Sequence, residues 1–322
     1  MKILKPIIFY FEIIFFIYIF NYYKNYILCM KCIENNNNST YCFHCPVELI
    51  FKGLKILSDD KTLDEIIFNK KSISRFGDGE FHLIFEKTIG FQKANKLLSR
   101  KLLEVLNCKD KNFLVGINIP YKELTKVTTH VKRYWTKYFN NYKFKLAKII
   151  NKKKLYYSAT ISRFYVRYKD KTNIPNYIQK LKKIWDKRNI LIIEGEKSRI
   201  GIGNDLFDNV KSIKRIICPF RNAFNVYNKI LNEVLKIKEK RLILIALGPT
   251  ATILAYDLYK LGYQSIDIGH MDIEYEWFLK NTTKKIQIKN KYVNEALGNR
   301  NIFTKVKDNN YYKEIIVKIL NY

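Results

Sequence analysis

From about Lys61 onward, short β-rich runs alternate with longer stretches of helical spacing. The runs are Ser72 to Phe76, Phe113 to Ile117, Leu155 to Thr160, Ile190 to Glu194, Ile213 to Cys218, Leu242 to Leu247 and Ser265 to Ile268. Several are continuously apolar, the pattern of strands covered on both faces. Helical spacing marks Gln92 to Leu106, Tyr177 to Asp186, Asn222 to Leu235 and Thr250 to Leu261. Strands interleaved with helices predict an α/β fold: a mostly parallel sheet, flanked by helices, with right-handed crossovers. No repeat period is evident. The basic, tyrosine-rich stretch Tyr121 to Lys154 interrupts the alternation and reads as a helical insertion beside the site.

The first sixty residues follow another pattern. Ile7 to Phe20 is an apolar run of fourteen broken by Glu12, with Lys2 and Lys5 before it and Asn21, Tyr22, Tyr23 and Lys24 after it. A bilayer core needs about 20 mostly apolar residues, so the run is marginal. Extended through Tyr22 and Tyr23 it reads as an uncleaved, single-pass anchor with an aromatic belt. The alternative is a helix packed on the protein or lying on a membrane face. No small-residue cleavage site follows, which argues against a removed signal peptide. Cys29, Cys32, Cys42 and Cys45 then form two pairs with two-residue spacers, a spacing that suits four-thiolate zinc. In an oxidising compartment the same thiols would form disulfides, and Asn37 and Asn38 would each begin a glycosylation sequon. The expected organisation is a hydrophobic helix over 1–28, a Cys-rich segment and linker over 29–59, and one α/β domain over 60–322.

Composition changes this picture little. With 322 residues, 48% hydrophobic and 15% aromatic, the chain is neither disordered nor of low complexity. Its 59 Lys+Arg against 29 Asp+Glu give a formal charge of +30. Nucleic acid, an anionic membrane surface, a nucleotide or a phosphorylated acceptor would each be attracted. The chain's richness in Lys, Asn, Ile and Tyr, residues with AT-rich codons, accounts for the charge equally well, so charge alone names no function.

Ligands of open parallel sheets sit beyond the carboxyl ends of the strands, and four such segments stand out. In Ser74-Arg75-Phe76-Gly77-Asp78-Gly79-Glu80 two carboxylates two residues apart point the same way if the strand continues, or converge across a turn at Gly77 and Gly79. Paired hard oxygens suit Mg²⁺ or Mn²⁺ bridging to a nucleotide diphosphate, and Arg75 is a bidentate donor for the same group. An ordinary acidic turn is the alternative. The second segment, Glu194 to Asp205, has glycines at 195, 201 and 203 for close backbone approach, with Lys197 and Arg199 for phosphate. It matches neither the P-loop nor the dinucleotide fingerprint. The third, Leu247 to Thr252, reads as strand, turn at Gly248 and helix start capped by Thr250, which is a ready anion site. The fourth gathers Asp267, His270, Asp272, Glu274 and Glu276 within ten residues of an acid-poor chain, with His270 and Asp272 as candidate ligand or base.

Taken together, SRFGDGE at Ser74 to Glu80, IIEGEKSRIGIGNDLF at Ile192 to Phe207, IKRIICPFRNAF at Ile213 to Phe224, ALGPTATILAYDL at Ala246 to Leu258 and DIGHMDIEYEWF at Asp267 to Phe278 resemble the GT-D type glycosyltransferases. The resemblance spans roughly residues 60–280. It implies a Rossmann-like α/β fold, a UDP-sugar donor, a saccharide or glycoconjugate acceptor, and Mn²⁺ or Mg²⁺ held through an Asp-x-Glu motif, here Asp78 and Glu80. Residue reading and resemblance together assign the donor to Arg75, Gly77, Gly79, Arg199, Asn204, Asp205, Gly248 and Thr250, and acceptor activation to Asp272 ahead of His270. The first fifty and last forty residues lie outside the resemblance. A membrane-associated enzyme, otherwise cytoplasmic, is expected. The competing class is a basic nucleic-acid-binding or membrane-attached module without catalysis, but no recognition helix or aromatic RNA-binding motif supports it.

Overall fold

The computed structural model describes residues 19–20, 24, 45–119, 122–296 and 303–320. The chain divides into two compact units, 1–54 with 133–153 and 55–132 with 154–322. In the first, the short Val47–Ile50 helix and most of the Thr129–Ile149 helix are described. There Phe51 meets Phe139 with ring centroids 6.3 Å apart, and Lys143 Nζ donates to the Cys45 carbonyl at 2.7 Å. Cys45 is fully buried, whereas Cys29, Cys32, Cys42 and most of the Ile7 to Phe20 run lie outside the described residues. Among the described residues no helix is long and apolar enough to cross a membrane.

The second unit is built on β1 (Lys55–Ile56), β2 (Ser72–Phe76), β3 (Phe113–Ile117), β4 (Leu155–Ser158), β5 (Asn189–Gly195), β6 (Ser212–Cys218), β7 (Leu242–Ala246), β8 (Ser265–Asp267) and β9 (Ile315–Lys318). They form one sheet in the order β1-β4-β3-β2-β8-β7-β5-β6-β9. Every pairing is parallel. Ile73 pairs with Ile266, Ile245 with Asp267 and Glu194 with Ala246, so the carboxyl ends of β2, β8, β7 and β5 share one edge. From β2 the chain moves out to β3 and β4, then crosses to β5 and β6 and returns through β7 and β8 to lie against β2. Connections from the neighbours β2 and β8 therefore leave in opposite directions, which opens a crevice between them.

Both faces of the sheet are covered, which is why the strands read as unbroken apolar runs. Ile190, Ile192, Leu242, Leu244 and Ile266 face a layer containing Leu63, Leu181, Trp185 and Trp277. The alternating Leu191, Ile193, Ile243 and Ile245 are equally buried and point the other way. The Pro249–Lys260 helix packs on β2, β7 and β8.

All seven expected strands are present, and the differences are local. Leu155 to Thr160 is strand only to Ser158, because the Ser158 hydroxyl accepts the Thr160 N–H and turns the chain into a 3₁₀ turn at Ala159–Ser162. The helix expected from Gln92 begins at Lys96, where the Asn95 side chain accepts the Leu97 and Leu98 N–H groups. Among the described residues five helices arise where none was expected: Val47–Ile50, Asn309–Glu314, Asp59–Ile67, Asp78–Ile84 and Met271–Leu279. The last carries the acid cluster, and its interior burial hid the helical period.

Candidate functional site

β2 ends at Phe76, and Gly77 caps the helix that begins at Asp78. The Glu80 side chain turns back so that its Oε2 accepts the Gly77 N–H at 2.7 Å. Asp78 and Glu80 thus occupy the first turn of a helix rather than a continuing strand, near enough for the Asp78 carboxylate to act on Glu80. Gly79 lies in the same turn, where a Cβ would sit 3.4 Å from Ile89. Burial, reinforced by the Asp267 carboxylate, pushes the Glu80 carboxyl up to about 7.

Arg75 faces inward. Its Nε and Nη2 donate to the Asp267 carbonyl and Oδ1 at 2.6 and 2.7 Å, and Nη1 donates to the Ala159 carbonyl and Ser162 Oγ at 3.0 and 2.6 Å. A Cβ on Gly269, whose φ is +45°, would lie 1.9 Å from Arg75 Nη2, so only glycine allows this ion pair beneath the loop after β8.

The start of the Pro249–Lys260 helix packs on the end of β2: Thr252 Oγ1 donates to the Arg75 carbonyl at 3.0 Å, and Ser74 Oγ donates to the Thr252 carbonyl. Gly248 has φ +54°, and a Cβ there would meet the Phe91 ring at 2.6 Å. Thr250 is fully buried, and its hydroxyl has no hydrogen-bond partner. A helix start carrying an orphan hydroxyl is a seat prepared for an acceptor-rich group such as phosphate.

Beyond β5 the glycine-rich loop is held from below. Glu194, fully buried, accepts the Ile200 N–H at 2.7 Å and pairs with Arg215 Nη1 at 2.7 Å; Arg215 in turn reaches Glu314. Asp272 Oδ1 accepts the Gly201 N–H and Asn204 Nδ2, each at 2.9 Å, and both its oxygens accept Lys291 Nζ. Glu276 Oε1 accepts Asn204 Nδ2 and Lys291 Nζ as well. Asn204 and Asp272 are thereby joined to one buried cluster. Asp205, half-exposed, accepts the Tyr275 hydroxyl and Lys182 Nζ. Arg199 has φ +49°, lies beside the Phe303 ring, and keeps a buried Nη1 without a partner.

His270 follows β8. Burial, with Arg163 beside it, pushes its imidazole down to about 3, so the ring is neutral. Its buried Nδ1 has no hydrogen-bond partner, the nearest acid being Glu295 Oε1 at 3.8 Å. Against the pull of burial, Arg163 and Lys285 hold the Glu295 carboxyl far below the usual range; Arg163 Nη2 donates to it at 2.5 Å. Glu274, buried, accepts the Tyr165 and Val166 N–H groups at 2.9 and 3.0 Å.

The structure therefore gathers Arg75, Gly77, Asp78, Glu80, Gly248, Thr250, Asp267 and His270 around the ends of β2, β7 and β8. Asn204 and Asp272 form the underside of the glycine-rich loop. Sequence reading passed over Arg163, Lys291, Glu295 and the Glu194–Arg215 pair. No sequence signal marks them, because their partners lie tens to more than a hundred positions away.

An all-parallel α/β sheet with acids, a helix start and a glycine-rich loop at the carboxyl ends of its strands is the arrangement of α/β proteins that bind ligands at that edge. Within that class, residues 73–296 match the family model described as the glycosyltransferase GT-D fold, and the chain belongs to this family. It is 37% identical over 267 residues to a Streptococcus gordonii protein, Gly, described as a probable glycosyl transferase, with 83% of this chain and 39% of that protein covered. It is 35% identical over 279 residues to the glycosyltransferase GlyD of Streptococcus pneumoniae, with 86% and 33% covered. The chain thus spans only a third to two-fifths of these relatives' lengths. Among solved structures, a glycosyltransferase from Streptococcus sanguinis superposes with a TM-score of 0.79 at 36% identity, covering 83% of this chain and 99% of that one. A selenomethionine structure of domain of unknown function 1792 superposes with a TM-score of 0.80 at 35% identity, covering 85% and 99%.

Proposed function

We propose that the chain transfers a hexose from a UDP-sugar to a glycan, glycoprotein or glycolipid acceptor, with Mn²⁺ or Mg²⁺ at the Asp78 and Glu80 carboxylates. The observation that carries this reading is the contact between the two halves of the crevice: the helix start with the orphan Thr250 hydroxyl packs through Thr252 on the Arg75 carbonyl of β2, the strand that leads into the turn with the two acids. One half suits phosphate and the other suits a cation that binds phosphate. The fit of a divalent ion rests on the Glu80 carboxyl, raised by burial and by Asp267, because a bound cation relieves that repulsion. Among the described residues no group of three or more His, Cys, Asp or Glu is placed to hold an ion, so diphosphate oxygens and water would complete the coordination. When bound, the ion supplies charge stabilisation to the departing diphosphate.

The remaining work falls to the chain itself. Gly248 and Thr250 donate to the β-phosphate, and Gly77 and Gly79 let the backbone approach it. Arg199 Nη1 supplies the free positive charge on the glycine-rich loop, and Asp205 faces the ribose or sugar hydroxyls. Arg75 acts through Asp267, fixing the loop that carries His270. Asp272 and Asn204 position the glycine-rich loop, and neutral His270 hydrogen-bonds an acceptor or donor hydroxyl. Purified protein incubated with UDP-sugars and Mn²⁺ is expected to release UDP, to stop with EDTA, and to lose at least about a hundredfold in rate as Asp78→Asn. Unchanged turnover in that variant contradicts the metal assignment.

A further inference from the structure

The segment after β4 carries a second cation that the donor crevice does not use. Arg167 is only 7% exposed, and its Nε and Nη2 are buried without a hydrogen-bond partner. Among the described residues it forms no salt bridge, and its guanidinium carbon lies 5.3 Å from the Tyr168 ring. Of the two acids that act with it on the Tyr168 hydroxyl, Asp59 already accepts that hydroxyl at 3.1 Å and Thr160 Oγ1 at 2.7 Å, and Glu123 lies on the neighbouring turns at 122–128. Leaving a buried charge uncompensated costs several kcal/mol, on the order of what removing one partner of a buried ion pair costs. A folded chain retains such a group where something outside the chain completes it.

The segment is also unusually fixed. Arg75 holds Ala159 and Ser162, Tyr177 Oη holds the Ile161 carbonyl at 2.9 Å, Glu274 holds the Tyr165 and Val166 N–H groups, and Tyr168 is tied to Asp59. The backbone that carries the guanidinium is therefore held in place on both sides. Beside it runs 122–128, a series of turns joined to the segment by the Thr128 N–H to the Arg167 carbonyl, the Lys169 N–H to the Lys126 carbonyl, and Lys169 Nζ to the Thr125 carbonyl. Lys122, Lys126 and Lys169 on these two stretches are exposed. A preorganised guanidinium fork among lysines is matched by a dianionic tetrahedral group better than by a carboxylate.

We propose that Arg167 is the anchor of a phosphate-binding site, distinct from the donor diphosphate seat, that takes a phosphate group of the acceptor. Its assignment to the acceptor rests on the transferase reading above; the phosphate site itself does not. Arg163 lies on the same segment four residues earlier and pairs with Glu295, which in turn lies 3.8 Å from His270 Nδ1, so a phosphate on Arg167 would tether an acceptor toward His270.

The test is isothermal titration and thermal shift on the full chain with inorganic phosphate and with glycerol 3-phosphate, in wild type, Arg167→Met and Arg167→Lys, at fixed ionic strength. UDP with Mn²⁺ is titrated in parallel. Wild type is expected to bind both phosphate probes, with saturating UDP present as well as absent. Arg167→Met should weaken phosphate at least about tenfold while being no less stable than wild type when no ligand is present, because an unpaired buried charge has been removed. Arg167→Lys should fall between the two. Glycerol 3-phosphate binding at least as tightly as inorganic phosphate supports the acceptor assignment, and binding of the inorganic ion alone overturns it. Phosphate binding that Arg167→Met leaves intact, phosphate displaced by UDP, or an Arg167→Met protein too unstable to purify each overturns the site. Failure of UDP binding with phosphate binding intact would instead strike at the donor reading.

Discussion

Because burial beside Asp267 raises the Glu80 carboxyl to about 7, the folded protein keeps this proton over a range in which the unfolded chain, near 4.5, has lost it. The stability associated with the protonated group is fully present below about pH 4.5 and is lost as pH rises toward 7. Chemical denaturation in EDTA should therefore show Glu80→Gln gaining on wild type across that interval, by up to about 3 kcal/mol. A pH-independent difference would mean that Glu80 ionises normally. A second residue-scale expectation concerns Gly269. Its replacement by Ala places a methyl against Arg75 Nη2 at a φ of +45°, and should cost at least about 2 kcal/mol in urea denaturation. The sequence made the Asp78 and Glu80 motif visible, but not the direction of either side chain. That direction depends on the chain turning helical at Gly77, a local event that an Asp-x-Glu spacing does not encode. Arg75 is the clearer lesson: a strand-end arginine looks like a phosphate donor until Asp267, 192 positions on, is seen to hold it.

At the scale of elements, the glycine-rich loop is shaped by the helix that follows β8. Asp272, Glu276 and Lys291 form a buried ionic cluster under Gly201 and Asn204, so cutting one partner leaves the others uncompensated. Lys291→Met is expected to destabilise by about 3 to 5 kcal/mol, and Lys291→Met with Asp272→Asn by less than the sum of the single changes. Additivity in that cycle would show that the groups do not act as one. The loosened loop should also raise the apparent KM for the donor. Strands were legible because a doubly covered parallel sheet writes itself as apolar runs, and the five ordered segments run through or just beyond the carboxyl ends of β2, β5, β6, β7 and β8. The Met271–Leu279 helix was not legible as a helix, since seven of its nine residues are buried and no polar face remains to set a period. Its acids drew attention as candidate chemistry, yet Asp272, Glu274 and Glu276 each hold a main-chain or side-chain donor in place.

For the whole molecule, the family match covers residues 73–296, and the features on either side must be tested on the full chain. The apolar run from Ile7 to Phe20 predicts that the protein stays in the membrane fraction after a wash with about 1 M salt, conditions that screen charge attraction by the remaining +30 surface. Removing residues 1–28 should release it, whereas release by salt alone would assign attachment to charge. Asp78, Glu80, Asp267, Asp272, Glu274 and Glu276 lie at the crevice and its supports while the lysines are spread along the chain, so the formal charge of +30 by itself names no partner. The central claim is that donor diphosphate and metal meet where the ends of β2, β7 and β8 converge. The most direct test is a crystal structure with UDP and Mn²⁺, with the metal located by its anomalous signal. The account predicts Mn²⁺ at the Asp78 and Glu80 turn and the diphosphate against Gly248 and Thr250; a metal elsewhere, or UDP bound away from that helix start, would contradict it.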